Sequence, residues 1–494
     1  MERFTPAGTE GAYTPAFAET HSGLVFFAGD RAYKLKKSVD LGFLDFTTRA
    51  KREVACQREV ALNRRLAPDV YLGVADIHDA AGEVCDHLVV MRRMPAERRL
   101  STLVVSGAPV EPVIDDLAQL IAAFHARAER SHEADRAAAA DALAGRWEAN
   151  TVGLESFVGR FVDAAAVAGV DRLARRYLAG RGPLFAARVA RGRACDGHGD
   201  LLADDIFCLD DGPRVLDCLE FDDALRLDDV LADVAFLGMD LERLGRPDLA
   251  GQFLAAYQSA AGDDWPASLA HHHIAYRAQV RAKVSALRAE QGVADSAPKA
   301  QRLLELARVH LDAGRVRLIL VGGLPGTGKS TLARGLGEAV GAEVMRSDVV
   351  RKELAGLPAD RVADARFGGG IYTAAATAAT YRELLVRAER ALGLGETVVL
   401  DASWTDEIHR DAARRLAEAT ASDLVELRCV APAAVVAERI TARAAAGGDA
   451  SDADAAIAAA MAAVADPWPT SIAVDTVAEP AATVLTAREV VGPT

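Results

Sequence analysis

The sequence predicts two domains of different class in one chain: an α+β domain over residues 1–312 and an α/β domain with a parallel sheet over residues 313–494. Three observations carry this. The 494 residues exceed one ordinary hydrophobic core, because domains run to roughly 100–200 residues. The first part places strands early and long helical stretches later, whereas beyond Gly314 strand and helix patterns alternate. The apolar run RLILVG at 317–322 leads directly into a glycine-rich turn and then a helical pattern.

Taken in order, residues 17–37 alternate as strands, and Ala28-Gly29-Asp30 supplies a hairpin turn. Residues 47–66 have helical spacing, and HLVVMRRM at 87–94 reads as a strand. From 113 to 190 the pattern is helical and Ala-rich. Residues 206–209 and 214–221 read as short strands around the turn Asp210-Asp211-Gly212-Pro213, followed by helices over 228–260 and 268–290. A charged helix from Pro298 to Ala313 ends at Gly314 and sets the domain boundary near residue 312. Beyond it, strands are predicted at 317–322, 342–346, 397–401 and 424–430, and 444–465 reads as helix with a mobile loop at Gly447-Gly448-Asp449. No repeat of 20–50 residues is evident.

Apolar residues make up 51% and charged residues 26%, which excludes wholesale disorder. The longest clean apolar run, around Leu318–Val321, is far short of the roughly 20 residues a membrane helix requires. The start MERFTPAGTEGAY lacks a basic-then-apolar signal pattern, so a cytoplasmic protein is expected. Six scattered cysteines with no C-x-x-C pair argue against a zinc module or a disulfide framework. The net charge is −14, and residues 196–242 alone hold 15 Asp or Glu against Arg214 and Arg226. Such a balance lacks the basic surface that nucleic-acid phosphates demand, so no nucleic-acid partner is expected.

Gly323, Leu324, Pro325, Gly326, Thr327, Gly328, Lys329 and Ser330 match G-x-x-x-x-G-K-[ST] in full, with Thr331 continuing into the helix. Glycines let main-chain amides turn inward around phosphate oxygens, and the helix start adds partial positive charge. Lys329 is expected to reach the β/γ-phosphates and Ser330 to ligate Mg²⁺. Asp401 ends the strand pattern Val398–Leu400 and suits the second magnesium-side acid. Asp348, after the second strand, is placed to accept a proton from a substrate hydroxyl, with Arg346 or Arg351 beside it for an anionic substrate. Arg439 and Arg443 stand four apart on one helical face, as a lid over a triphosphate or as a solvated basic face. Through GLPGTGKS, RSDVVR, VVLDAS and the Arg439/Arg443 pair ahead of Ser451 to Asp454, residues 316–475 resemble the small P-loop kinases of the gluconate kinase, zeta toxin and polynucleotide kinase type. The resemblance implies Asp348 as catalytic base or substrate anchor.

The acidic window has a pattern of its own. His198 lies two before Asp200, Asp205 lies five after it, and Asp217 follows at a strand end. That order parallels a kinase catalytic loop, with base, metal ligand and second metal ligand. Upstream, Lys34 and Lys36 share one strand face, and Glu59 on the next helix is placed to pair with them. The strand 87–94 then becomes the hinge that adenine touches.

Through ETHSGLVFFAGDRAYKLKK, GFLDF at 42–46, LNRRLAPDVYLGV, CDGHGDLLADDI and LDCLEFDDALRLDDVLADVAFLGMDLE, residues 15–290 resemble the aminoglycoside phosphotransferase and choline kinase-like branch of the protein-kinase fold. The likeness is to two-domain bacterial proteins that fuse such a domain to a P-loop kinase. It implies a protein-kinase-like N-terminal domain, a P-loop NTPase C-terminal domain, and ATP and Mg²⁺ as cofactors. The sequence departs from the family's H-G-D-L-H-x-x-N, since Leu202 replaces the His and Asp205 the Asn. No glycine-rich flap precedes Lys34. The expected activity is transfer of the ATP γ-phosphate to a hydroxyl of a small polar acceptor such as a sugar or amino sugar. The alternative is a nucleotide-binding regulatory protein with a degenerate kinase-like sensor domain.

Overall fold

The computed structural model describes residues 16–19, 23–40, 45–358, 369–446 and 455–492. Gly42, the loop expected at 447–449, and Ser451 and Asp454 lie outside them. By contacts the chain forms two compact units, Met1–Ala138 with Arg191–Asp264, and Ala139–Ala190 with Trp265–Thr494. The expected cut at residue 312 falls inside the second unit. There Ala140–Glu155 packs with Ala267–Glu290, Ala164–Gly180 with Ser296–Ala313, and Gly182–Ala190 with Ala140–Glu155 and the later helix Ala374–Gly393.

The first unit carries a five-stranded antiparallel sheet in the order Ala16–Glu19, Gly23–Ala28, Arg31–Lys36, Val84–Arg92, Tyr71–His78. Gly29 and Asp30 close the predicted hairpin, with Ala28 opposite Arg31. The lysine strand is central, because Lys34 pairs with Val25 on one side and Val89 on the other. Tyr71–His78 is a strand that the sequence pattern does not announce. Helix Arg49–Asn63 starts where the Thr48 hydroxyl accepts the Lys51 N–H, and its inner face joins Cys56 and Val60 to Val70, Tyr71 and Val89. Two short strands, Ile206–Leu209 and Gly212–Val215, lie nearby in the chain's acidic segment. Phe207 of the first and Leu216, just past the second, complete the same cluster, so one apolar core fixes sheet, helix and acidic segment together. The second strand is shorter than expected, so Asp217 lies beyond it, in left-handed backbone at φ 62°.

The second unit holds a wholly parallel sheet in the order Glu343–Arg346, Val398–Asp401, Arg317–Gly322, Asp423–Val430, Ile472–Asp475. The last strand has no counterpart among those predicted. All six residues of Arg317–Gly322 are buried, as a central parallel strand covered on both faces must be. Five of the six cysteines are buried, Cys85 is exposed, and all are free thiols. Among the described residues no helix is long and apolar enough to cross a membrane.

Candidate functional sites

Two sites take shape, one in each unit. In the second unit, Gly323 to Gly328 form the loop between strand Arg317–Gly322 and helix Lys329–Val340, whose first turn holds Lys329, Ser330 and Thr331. Two glycines are required there. Gly323 has φ 141°, and a Cβ would stand 2.6 Å from Thr327 Oγ1 and 2.9 Å from the Cys429 carbonyl oxygen. Gly328 caps the helix at φ 85°. Behind the loop, Thr327 Oγ1 donates to the Leu324 carbonyl at 2.8 Å, and Thr476 Oγ1 to the Thr327 carbonyl at 2.7 Å.

Parallel pairing sets Asp401 level with Val321 and with Arg346. Asp401 is 3% exposed; its Oδ2 accepts from Arg346 Nε at 3.2 Å, and among the described residues its Oδ1 has no hydrogen-bond partner. A buried carboxylate oxygen without a donor suits a hard cation, so Asp401 and Ser330 fit Mg²⁺. Asp348, in the first turn of helix Ser347–Leu354, feels Lys329, Asp401, Arg351 and Arg346. Burial raises its carboxyl above the ordinary range, only partly offset by Lys329. Arg351 is tied to the Ile371 carbonyl at 3.2 Å and Thr377 Oγ1 at 3.0 Å, with its guanidinium 5.0 Å from the centre of the Tyr372 ring. Arg439 donates to the Thr476 carbonyl at 2.5 Å and hydroxyl at 3.2 Å, which sets it against the phosphate loop's buttress. Arg443 lies one turn on along the same helix, Ala433–Ala446.

In the first unit a cleft of about 800 Å³ opens between the sheet and the acidic segment. Ala32, Phe27, Met91, Phe207 and Leu216 give it apolar walls, and Lys34, Asp205 and Asp217 line its charged end. The strand end Met91 and Arg92, with Arg93 to Glu97 after it, lines it where the hinge is expected. Lys34 Nζ lies 2.9 Å from Glu59 Oε1 and 2.7 Å from Asp217 Oδ1. Lys36 Nζ lies 2.7 Å from Glu59 Oε2 and 2.5 Å from Glu220 Oε1. The sequence leaves open which lysine faces nucleotide; Lys34 lines the cleft, while Lys36 is buried behind it. Burial opposes the Lys34 charge, but Asp217, Glu59 and Glu220 outweigh it and hold the ammonium protonated. Asp217 is held below the ordinary range, chiefly by Lys34.

Asp200 follows a loop that is fixed from below. Asp233, 5% exposed, accepts the His198 N–H at 2.5 Å and the Gly199 N–H at 2.8 Å. His125 Nε2 lies 3.2 Å from Asp233, and His125 Nδ1 2.7 Å from Tyr257 Oη. His198 Nε2 reaches the Leu216 carbonyl at 3.1 Å, joining this loop to the one bearing Asp217. Asp205 is crowded: burial, then Asp217, Asp200 and Asp204, push its carboxyl well above the ordinary range. Carboxylates gathered so closely favour a cation among them, and Asp205 and Asp217 fit Mg²⁺ in their oxygen chemistry. Among the described residues no group of three or more His, Cys, Asp or Glu is close enough to hold a metal by itself. At both sites, phosphate oxygens and water would complete the shell.

Several supporting residues escape a reading of the sequence. Asn63, one turn after Glu59 on the same helix, accepts the Cys218 N–H at 2.8 Å, and Tyr71 Oη accepts the Asp217 N–H at 3.1 Å. Arg65 grips the Asp196 carbonyl at 3.1 Å and the Gly197 carbonyl at 2.9 Å. The i, i+4 spacing of Glu59 and Asn63 is the one available signal. Thr476 directly follows a four-residue strand, Ile472–Asp475, that carries no pattern of its own.

Residues 318–468 match a family described as an AAA domain. The protein Rv2004c of Mycobacterium tuberculosis is 47% identical over 458 residues, covering 93% of this chain and 91% of its own length. Among solved structures, a choline/ethanolamine kinase family protein from Mesorhizobium loti is similar over 62% of this chain and 90% of its own, at 16% identity and a TM-score of 0.38. A gluconokinase from Sinorhizobium meliloti is similar over 35% of this chain and 90% of its own, at 21% identity and a TM-score of 0.24.

Proposed function

The chain belongs to the same family as Rv2004c of Mycobacterium tuberculosis, and on that premise we propose that it is an ATP-dependent phosphotransferase acting on a hydroxyl of a small polar acceptor. The observation that carries the reading is a complete phosphate loop leading into the helix of Lys329 and Ser330, with the buried carboxylate of Asp401 at the end of the neighbouring strand. In the proposed reaction the loop amides and Lys329 hold the β/γ-phosphates. Ser330 and Asp401 would hold Mg²⁺, which would supply charge neutralisation at the transferring group. Asp348 takes the acceptor's hydroxyl proton as the new O–P bond forms, the β–γ bridge breaks and ADP leaves with the electron pair. Arg351 holds an anionic part of the acceptor.

The kinase-like cleft repeats the logic with different parts. Lys34 on the α/β-phosphates, Asp205 and Asp217 on Mg²⁺, and Asp200 as base form a second phosphotransfer site. The acceptor class is a sugar or amino sugar, in a cytoplasmic setting and without a nucleic-acid partner. The test is an acceptor screen on the full chain, reading ADP release and product mass for the natural protein, Lys329→Ala and Asp200→Asn. Acceptor-dependent product lost in one or both variants supports the reading. ATP hydrolysis with no phosphorylated product across sugar and alcohol libraries favours a nucleotide-dependent regulatory protein instead. The crowded carboxyl of Asp205, standing where kinases carry Asn, is the observation on that side.

A further inference from the structure

The charges behind the kinase-like cleft form a chain of alternating sign: Glu220, Lys36, Glu59, Lys34, Asp217. Each lysine has two carboxylate partners, and Glu59 gives one oxygen to each lysine. The side chain of Lys36 is 2% exposed and that of Glu59 0%, whereas Asp217 at the cleft end is 50% exposed. Lys36 lies 4.9 Å from the centre of the Phe46 ring and does not line the cleft. Glu220 stands three residues after Asp217, so this segment is held at Asp217 by Lys34 and at Glu220 by Lys36.

We propose that Lys36 is a positioning residue of the nucleotide cleft, which through Glu59 and Glu220 leaves the Lys34 ammonium available to phosphate and sets the backbone that carries Asp217. The inference rests on the reading of the cleft as a Mg·ATP site. With a triphosphate and its metal bound, Asp217 would face the metal and Lys34 the phosphates. Lys36 then holds Glu59 and Glu220 in place. Without it, Glu220 loses its cation and Glu59 keeps only Lys34, which already feels Glu220. Those carboxylates compete with the phosphates for Lys34. A buried ion pair adds little net stability compared with apolar packing, but removing one partner leaves a charge with nowhere to go.

The experiment is titration calorimetry of the full chain with Mg²⁺ and a non-hydrolysable ATP analogue. Lys329→Ala is present throughout, to remove the phosphate loop's binding. In this background Lys34→Met loses binding. Lys36→Met weakens it at least about tenfold, as removal of one member of a close charge pair does. Lys36→Arg stays near the background value, and Glu220→Gln added to Lys36→Met recovers most of the loss, because it removes the stranded carboxylate. Should Lys36→Met unfold, the charge-matched double variant decides: folded and binding, it supports the proposal. If it is folded but binds as weakly as Lys34→Met, the proposal is overturned. It is likewise overturned if Lys36→Met lowers the melting temperature but leaves affinity unchanged. If Lys34→Met itself leaves binding unchanged, the nucleotide reading of the cleft fails, and with it the premise.

Discussion

Lys34 and Asp217, 183 residues apart in sequence, meet at 2.7 Å at the charged end of the first unit's cleft. Each is the other's counter-ion, so each is kept charged, close to where the proposed nucleotide's phosphates and metal would lie. Asp217→Asn removes the charge that this loop brings to the mouth of the cleft. Mg²⁺-dependent nucleotide binding, measured with Lys329→Ala in place, is expected to weaken at least about tenfold. Affinity that stays the same with and without Mg²⁺ in both proteins would remove Asp217 from the metal site.

Lys329 lies at the first position of the helix after the phosphate loop. Lys329→Ala is expected to cut ATP turnover by the P-loop unit by roughly 10²–10³-fold, the usual loss for one preorganised charge on a transferring group. ADP release under saturating acceptor reads it. Turnover equal to that of the natural protein would show that chemistry occurs elsewhere.

Asp205 links the cleft to stability. Its carboxyl is raised in the folded chain, so the fold binds that proton more tightly than the unfolded chain does. Stability therefore falls as pH rises from the ordinary carboxylate range towards the raised value, and is not penalised below that range. Asp205→Asn has no proton to lose. Without Mg²⁺, its melting temperature should exceed that of the natural protein near neutral pH and match it in acid. An offset of the same size in both conditions contradicts the assignment.

Asp233 anchors the Asp200 loop through two main-chain N–H groups. Asp233→Ala strands both, at a cost of about 1–3 kcal/mol for each unsatisfied buried donor. Denaturant unfolding should show an earlier transition for the first unit, and any transfer that depends on Asp200 should fall with it. An unshifted transition would mean that the loop is held by other contacts.

The sequence discloses most where chemistry and chain order coincide. The phosphate loop is a run of consecutive residues between one strand and one helix, so its geometry follows from local grammar. Glu59 and the lysine strand are readable as partners, but the division of labour between Lys34 and Lys36 is not. Both project from one face at period two, and only the packing of Phe46 and Glu220 behind that face tells them apart. Asp217 is legible as an acid but not as a turn residue; the strand stops at Val215, and the left-handed turn beyond it aims the carboxylate. Strand Tyr71–His78 stays hidden because Gly73, at a register shift, breaks its alternation. The compact units are hidden for a simpler reason: linear order says nothing about which helices return to pack against a later sheet.

That return has a cost in time. Arg181, 1% exposed, donates to the Thr420 carbonyl at 2.9 Å and to Ser422 Oγ at 3.2 Å, and Arg176 lies 2.7 Å from Asp423. A Cβ on Gly180 would fall 2.0 Å from the Thr420 oxygen. During synthesis, helix Ala164–Gly180 leaves the ribosome 239 residues or more before these partners do. Until then its basic end lacks the carbonyl, hydroxyl and carboxylate that hold it in the folded chain. A fragment beginning at residue 313 meets the converse problem, since it presents Thr420 and Ser422 without the guanidinium that closes them.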